Sequence, residues 1–382
     1  MQRMSFTARG TLIACARLAL LACVPSAAYA QDVAPQISSS VYVRTDTDKT
    51  TVISPRLQAR APITDSTSAE LVYAVDVWSS ASIDIRTSAS KAVTEQRDEI
   101  DASVTQAIHD TRVTGAYRYS TEPDYDSNLV ALSLESDFAD KSTVIGAGAS
   151  LGFDTVGQVN EPMFNEHLRT IGARVSGLQL IDDKTFVQLE YELGHARGFQ
   201  SSPYRFVGIG TSDGTCQVTE PEQIIVYCPR ETSPELRVRH AVAVRARRAL
   251  FDPLSVGAEY RFYLDSWDVQ SNTLSLDVSV LPAAQTTLAL RYRFYTQTAA
   301  RHYHAVYEEA RDDGLYTRDK ELSPLSSHKI ALDLEQGITM DARGRTLRAL
   351  LSVGPVFYSY SDYPLLDSIT ALDATLSLVL DL

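Results

Sequence analysis

Hydrophobic and polar side chains alternate one by one along most of the chain after residue 38. The segment 236–250 shows this alternation most clearly. Its even positions include Leu236, Val238, Val242, Val244 and Leu250, whereas its odd positions include Arg237, Arg239, Arg245 and Arg247. Successive side chains of a β-strand point to opposite faces, so this period of two predicts a strand with one apolar and one charged face.

Sixteen such segments can be marked, from 39–46 to 368–382, and the connections between them fall into two alternating classes. The short connections are expected at 63–67, 110, 140, 183, 253, 283–285 and 340–344. Most of the others are longer, with loops near 82–97, 198–236 and 299–324. Tight turns on one rim and long extracellular loops on the other are typical of outer-membrane barrels. We therefore predict an all-β fold, a closed antiparallel transmembrane β-barrel of about sixteen strands.

The main alternative is a soluble β-sandwich or β-barrel, because a soluble sheet also buries one face and exposes the other. However, the chain lacks the continuously apolar central strands, the helices and the domain linker expected in a large soluble fold. The regular alternation of short and long connections is not required by a sandwich either. Both observations favour the membrane barrel.

The first thirty residues have the composition of an export signal. They carry Arg3, Arg9 and Arg17 but no acid, and an apolar stretch precedes Ala28-Tyr29-Ala30. This order predicts a secretory signal peptide over residues 1–30 and a mature barrel over residues 31–382, placed in the outer membrane of a Gram-negative bacterium. A lipoprotein processing site at Leu20–Cys23 is the alternative, and Leu21 fits it poorly.

Two of the four cysteines lie beyond this segment. Cys216 and Cys228 are twelve positions apart in one polar stretch, and in an oxidising envelope a local disulfide between them is expected. A redox-active or metal-binding pair is the alternative, but there is no C-x-x-C spacing and no nearby histidine to support it.

The polar face of the strands carries charges of both signs, which the barrel would turn into its lumen. The charged residues expected there are Arg60, Glu70, Arg174, Glu190, Glu192, Arg245, Arg247, Glu259, Arg261, Asp277, Arg291, Arg293, Arg348 and Asp373. Reflection about the tight turns, within about two positions, places Arg174 opposite Glu192, Asp277 opposite Arg291, Arg60 opposite Glu70 and Arg247 opposite Glu259. A wall of paired charges fits a narrow hydrated passage or a blocked lumen, rather than a strongly charge-selective pore.

The repeated tetrapeptides Tyr260–Tyr263 and Tyr292–Tyr295 place aromatic residues on the expected lipid face, as interfacial girdles or as ordinary strand aromatics. His302 and His304, followed by acids at 308, 309, 312 and 313, form the best metal candidate. No third ligand has suitable spacing, so we expect a solvated polar loop. Common nucleophile-elbow, zinc-protease, Walker and dinucleotide motifs are absent from the sequence. We therefore predict no metal, no cofactor and no catalytic residue.

Four stretches of the chain resemble a bacterial family known only as domain of unknown function 3570. They are Asp76–Asp84 (DVWSSASID), Ser88–Arg97 (SASKAVTEQR), Ser202–Gly208 (SPYRFVG) and Tyr260–Trp267 (YRFYLDSW). The resemblance covers about the whole mature chain and implies an outer-membrane barrel without an assigned activity. It also implies, through genes beside those of family members, an association with envelope thioredoxin-like and flavin-transferring proteins. The chain departs from the usual barrel pattern at its end, because Val379–Leu382 contains no terminal aromatic residue.

Three functions are compatible with these observations. The first is a porin-like channel or transport component for small solutes, without covalent chemistry. The second is a closed barrel that binds or scaffolds periplasmic proteins of a redox system. The third is an outer-membrane hydrolase that uses a rim serine with a histidine such as His195 or His240. The expected partners are outer-membrane lipid, the barrel-insertion machinery and possible periplasmic proteins. The net charge of −13 without a basic stripe argues against nucleic acid.

Overall fold

A computed structural model of the protein describes residues 34–80, 93–159, 161–216, 227–340 and 345–382. The predicted signal peptide at 1–30 lies outside these residues, as do most of the 82–97 loop and the middle of the stretch between the cysteines. The strands in the described part are β1 (Gln36–Asp46), β2 (Thr50–Thr64), β3 (Thr67–Ser80), β4 (Val93–Ile108), β5 (Thr111–Glu122), β6 (Tyr125–Phe138), β7 (Thr143–Gly157), β8 (Asn165–Asp182), β9 (Thr185–Gly198), β10 (Leu236–Phe251), β11 (Leu254–Asp265), β12 (Gln270–Ala283), β13 (Thr286–Gln297), β14 (Leu325–Thr339), β15 (Thr346–Tyr360) and β16 (Ser368–Asp381).

These strands form a closed barrel in which every strand pairs antiparallel with its neighbours in the sequence. The barrel closes where β1 pairs with β16, with Gln36 opposite Asp381 and the Gln36 amide 2.7 Å from the Asp381 carboxylate. Closure leaves no unpaired sheet edge, which is the condition for strands to cross a bilayer. The predicted fold class and the strand number of sixteen are confirmed. Both ends of the barrel chain lie at the rim of short turns.

The outward face of the barrel is apolar through its middle. Leu132, Leu151, Ile171, Val175 and Leu189 each expose about half of their surface to the outside. A soluble protein rarely exposes a continuous belt of this kind, whereas a lipid-facing barrel requires one. No helix among the described residues is long and apolar enough to cross a membrane.

Towards the long-loop rim the apolar surface ends in a belt of tyrosines. Their hydroxyl groups bond to polar residues of the adjacent strand, in the pairs Tyr73–Asp98, Tyr117–Asn128, Tyr119–Asp126, Tyr191–His240, Tyr260–Asn272 and Tyr292–His328, at 2.6–3.2 Å. Tyrosine combines an apolar ring with a polar end, so such a belt is typical of the boundary between hydrocarbon and headgroups. We call these six pairs the tyrosine belt.

The fourth strand begins five residues earlier than the alternation of hydrophobic residues predicts. The sequence pattern starts at residue 98, whereas β4 begins at Val93. The early positions of its outward phase are Thr94, Gln96 and Asp98, and Asp98 belongs to the tyrosine belt. Strand pairing therefore continues beyond the hydrocarbon, where outward side chains no longer need to be apolar and the periodic signal is lost.

Candidate functional site in the barrel lumen and its loop cap

The inward face of the barrel surrounds a cavity of about 700 Å³. Seven residues of the predicted lumen set line it, namely Arg174, Glu190, Glu192, Arg245, Glu259, Arg261 and Arg293. The other seven are not part of its lining, and in their strands they occupy the inward phase, namely Arg60, Glu70, Arg247, Asp277, Arg291, Arg348 and Asp373. The cavity thus occupies one part of a longer charged interior.

Three predicted cross-strand registers match the structure. Arg174 lies opposite Glu192, Asp277 opposite Arg291, and Arg60 opposite Glu70. Only Arg60 and Glu70 also form a direct ion pair with each other, at 2.5 Å. Elsewhere the long arginine side chains choose other partners, because carboxylates of several neighbouring strands are within their reach.

Three arginines form ion pairs that the predicted cross-strand registers do not indicate. The Arg261 guanidinium is 2.6 Å from Glu192, two strands away, whereas Arg174 lies 3.7 Å from Glu190. Arg291 is 2.5 Å from Asp333 on β14 rather than bonded to the facing Asp277. Ion pairs between adjacent strands, and in one case across an intervening strand, tie the wall together around its circumference.

The fourth predicted register, Arg247 opposite Glu259, is displaced by two positions, which is the full tolerance of the prediction. Arg247 faces Gly257, and Glu259 faces Arg245, whose guanidinium is 2.6 Å from the carboxylate. The shift arises because the hairpin turns at 252–253 and the pairing slips by one residue between Ala249 and Phe251. A β-bulge of this type is not visible in the hydrophobic pattern.

The glycine at position 257 allows Arg247 to reach past β11. Its guanidinium is 2.5 Å from Asp277 on β12. A Cβ atom at position 257 would come within 2.3 Å of the Asp277 carboxylate. The ion pair therefore occupies the space that a side chain at this position would fill.

Charges of the two signs are distributed unequally around the cavity. The wall formed by β10–β13 contributes Arg237, Arg239, Arg245, Arg261 and Arg293, with Glu259 as its acid. The wall formed by β4–β9 contributes the acids Glu99, Glu135, Asp154, Glu190 and Glu192, together with Arg97, Arg118 and Arg174. A polar solute inside the cavity therefore meets a more positive and a more negative side.

Two loops cross the long-loop mouth of the barrel. We name them cap loop 1 (described residues 199–216 and 227–235) and cap loop 2 (residues 298–324). Isolated β-bridges join them to each other, at Ile209 with Tyr307 and at Thr232 with Tyr316. Both loops line the upper part of the cavity, through Ser201, Glu231 and Ser233 of cap loop 1 and through Asp319, Glu321 and Leu322 of cap loop 2. We refer to the two loops together as the cap.

The centre of the cap is an ionic cluster formed by Arg205, Glu231 and Asp319. The Arg205 guanidinium is 2.7 Å from Asp319 and 3.8 Å from Glu231, and all three residues are buried. The Thr317 hydroxyl donates a hydrogen bond of 2.9 Å to Glu231. Burial raises the pKa of the Glu231 carboxyl to about 7, and the negative charge of Asp319 contributes, whereas Arg205 opposes the shift.

Polar contacts around the rim hold the cap on the barrel. Tyr204 bonds to Asp124, Arg230 lies 2.5 Å from Glu161, and Lys320 lies 3.2 Å from Asp48. These partners belong to three different connections along the rim. The cap is therefore attached on several sides of the mouth rather than hinged at a single point.

The two histidines of the candidate metal motif point to different partners. Nε2 of His302 lies 3.1 Å from the Ser233 hydroxyl, and its ring packs edge-on against Trp267. His304 instead lies 2.9 Å from the Arg311 guanidinium. Among the described residues no group of three His, Cys, Asp or Glu side chains is arranged to hold a metal ion.

Cys216 and Cys228 form the predicted disulfide, with their Cα atoms 5.9 Å apart. The bond closes part of cap loop 1. The sequence pattern does not predict the ionic cluster of Arg205, Glu231 and Asp319. The available signals were Arg205, which lies inside the SPYRFVG stretch, and the acid Glu231, but nothing in the sequence joins them to Asp319.

Residues 85–346 match the family described as protein of unknown function (DUF3570). The chain belongs to the DUF3570 family. The match includes the whole cap and the strands β4–β14. No curated protein matches the DUF3570 chain by sequence.

Several solved structures have shapes related to this barrel. The bacterial polysaccharide outer membrane secretin has a TM-score of 0.48 and 8% identity, over 92% of this chain and 100% of that chain. CdiB from Acinetobacter baumannii has a TM-score of 0.45 and 10% identity, over 90% of this chain and 60% of that chain. The siderophore receptor PirA from Acinetobacter baumannii has a TM-score of 0.43 and 11% identity, over 86% of this chain and 53% of that chain.

Proposed function

We propose that this protein is an outer-membrane barrel that passes small polar solutes, with the cap closing its external mouth at rest. The observation that carries the proposal is the charged cavity of about 700 Å³ directly beneath the cap. A barrel blocked for purely structural reasons has no need of such a space, which costs packing contacts.

The two mouths of the barrel are built differently. At the short-turn rim, the completely described connections have two to four residues, which is too short to cover the lumen. At the other rim, the cap extends across the mouth. The cavity is therefore more accessible from the short-turn side, which faces the periplasm in barrels of this plan, and the cap is the barrier to be moved.

The wall chemistry limits which solutes fit. Acids and arginines both line the cavity, so neither anions nor cations are rejected by a single-sign field. Separated positive and negative sides favour small solutes with both charges or with strong dipoles. We therefore expect zwitterionic and neutral polar solutes to pass better than strongly charged ones.

Electrical conductance of the purified protein in planar bilayers tests the proposal. The wild type should show low, intermittent conductance, because the cap closes the mouth for most of the time. Arg205→Ala leaves Asp319 and Glu231 without their central guanidinium and should give larger, longer openings. Arg301→Ala is the matched control, since this exposed cap-loop arginine has no ion pair with the described residues.

The outcomes separate the main candidates. Equal conductance of the wild type and Arg205→Ala would show that the cap is not the barrier. Complete absence of current from both proteins would remove the transport proposal and favour a closed barrel that binds or scaffolds periplasmic proteins.

One observation favours a hydrolase as the second candidate function. Ser233 lines the cavity, and its hydroxyl lies 3.1 Å from Nε2 of the buried His302. Burial lowers the pKa of His302 to about 4, with the positive charge of Arg237 contributing, and Nδ1 has no hydrogen-bond partner among the described residues. The imidazole is thus a weak base without an orienting acid, which makes activation of Ser233 inefficient. His240, in contrast, bonds to Tyr191 at the lipid face.

Covalent labelling tests the hydrolase directly. A fluorophosphonate probe should not label the folded protein if it is a transport component. Labelling that disappears in Ser233→Ala and in His302→Ala would establish the hydrolase instead.

A further inference from the structure

Two arginines lie directly opposite each other on the outer surface of β8 and β9. Arg169 faces Arg197 near the long-loop end of the two strands, and both side chains are exposed. They share the outward phase of Ile171 on β8 and Leu189 on β9, two residues of the apolar lipid face. Neither guanidinium forms a hydrogen bond or an ion pair with any described residue.

Like charges directly opposite on neighbouring strands destabilise a sheet. The surrounding outward positions do not relieve this repulsion. Phe153 and Leu236 are the residues that flank the arginine pair on β7 and β10, and both are uncharged. The compensating charge is therefore absent from the neighbouring outward positions of the barrel.

Two histidines extend the same patch. His167 precedes Arg169 by two positions, and His195 precedes Arg197 by two positions, so each shares the outward phase of its arginine. Their other cross-strand neighbours in that phase are Thr155 and Val238, which carry no charge. Four basic residues, two arginines and two histidines, thus occupy one outward face of two adjacent strands.

The patch lies just beyond the tyrosine belt. Tyr191 bonds to His240, which faces Leu193, and Arg197 follows Leu193 by four residues on β9. Four residues of a strand span about 13 Å, which a tilt of about 40° reduces to about 10 Å along the membrane normal. Headgroups occupy about 5–8 Å on each side of the hydrocarbon core. The backbone at Arg197 therefore lies just beyond the headgroup layer and far from the acyl chains. Its long side chain spans the remaining distance when it extends back towards the headgroup phosphates.

We propose that Arg169 and Arg197 together bind a phosphate group of an anionic lipid in the leaflet around the long-loop rim. Arginine presents paired donors that match phosphate oxygens, and one phosphate between two guanidinium groups neutralises their mutual repulsion. A lipid is the favoured source because both side chains point to the lipid side, away from the lumen. The proposal relies on the membrane orientation of the barrel but not on solute passage.

Binding of lipid A to the detergent-solubilised, folded full chain tests the proposal. Lipid A carries phosphate groups on a lipid headgroup, and its dephosphorylated form provides the comparison. The wild type should retain lipid A in native mass spectrometry, and Arg169→Gln/Arg197→Gln should weaken binding by about tenfold or more. Arg248→Gln is the matched control, because Arg248 has the outward phase at the opposite rim and pairs with Asp182 there.

Arg197→Glu tests the same charge repulsion through protein stability, because it replaces a pair of like charges with a pair of opposite charges. The introduced carboxylate would face Arg169, so the variant should be more stable than the wild type without lipid and should lose lipid A binding. It also guards against the case in which the double variant fails to fold. Heat-modifiable gel migration reports folding of each variant.

Three results would overturn the proposal. They are equal retention of lipid A by the double variant, equal retention of the dephosphorylated lipid, and competition by inorganic phosphate at the same concentration as lipid A. Conductance measurements distinguish failure of this lipid-binding proposal from failure of the proposed transport function. It should be unchanged in Arg169→Gln/Arg197→Gln, so loss of lipid binding and loss of transport are distinguishable.

Discussion

Arg205 of cap loop 1 and Asp319 of cap loop 2 are joined by an ion pair of 2.7 Å, although 114 positions separate them in the chain. Both residues are buried, and Glu231 shares the same guanidinium. Removing one partner of a buried ion pair costs about 3–5 kcal/mol, because the other charge remains without compensation. This contact is therefore the one in the cap whose loss should most favour opening.

Closure of the cap should depend on pH through Glu231. Its carboxyl has a pKa of about 7 in the folded cap, raised first by burial, above the ordinary value near 4.5. The folded cap therefore holds a proton that the open, solvated loop releases between these two pH values, and closure weakens as pH rises through 7. Arg205 and Asp319 are the charged groups that face Glu231. Conductance should be lower at pH 5.5 than at pH 8.

Glu231→Gln provides the control for this pH effect. Its amide keeps a polar group at the position but cannot ionise, so conductance should stay low and change little between the same two pH values. A wild-type conductance that falls on going from pH 5.5 to pH 8 would contradict the assignment.

A positive charge in the middle of the lipid face should destabilise the barrel. Leu132 lies halfway along β6 and faces outward. Leu132→Arg should lower the free energy of unfolding by about 2–4 kcal/mol in lipid vesicles, the range for arginine at the bilayer midplane. Ser133→Arg, one position along, faces inward near Glu135 and should cost much less. Urea unfolding followed by tryptophan fluorescence measures both, and equal losses would mean that the two faces are not lipid and lumen.

The gap at Gly257 should be intolerant of a side chain. Gly257→Ala places a Cβ atom against the Asp277 carboxylate and displaces its ion pair with Arg247. A loss of roughly 1.5–3 kcal/mol in unfolding free energy is expected, the usual contribution of a hydrogen bond to a charged group. Gly115→Ala is the control, because nothing lies within 4 Å of the added atom there. Similar stabilities for the two variants would show that Asp277 simply moves aside.

The Cys216–Cys228 bond should order the cap without supporting the barrel. Both cysteines belong to cap loop 1. Their replacement by serine removes a constraint worth about 3 kcal/mol in the chain-entropy model, so longer openings are expected in planar bilayers. Heat-modifiable migration should stay as in the wild type, because the strands are closed by their own pairing. Loss of the folded band in the double serine variant would contradict this division between cap and barrel.

The β-hairpin between β10 and β11 shows where sequence-based prediction of the wall ends. The alternation over 236–250 identifies the strand and its charged face. Successive side chains of a strand point in turn to lipid and to the lumen, so the sequence of each segment shows which face is charged. The register is decided by the turn at 252–253 and the slip after Ala249, which move the partner of Arg247 by two positions. Backbone geometry of this kind leaves no trace in hydrophobicity.

The strand pattern, the alternation of short and long connections, and the disulfide are predictable from the sequence, because periodicity and spacing are local properties of the chain. Tertiary structure alone decided that Arg205, Glu231 and Asp319 meet in the cap, and that Arg169 faces Arg197 on the outside. Those contacts depend on how distant segments fold across the mouth and on the register of neighbouring strands. Both are fixed by packing and pairing over the whole barrel rather than by any one segment.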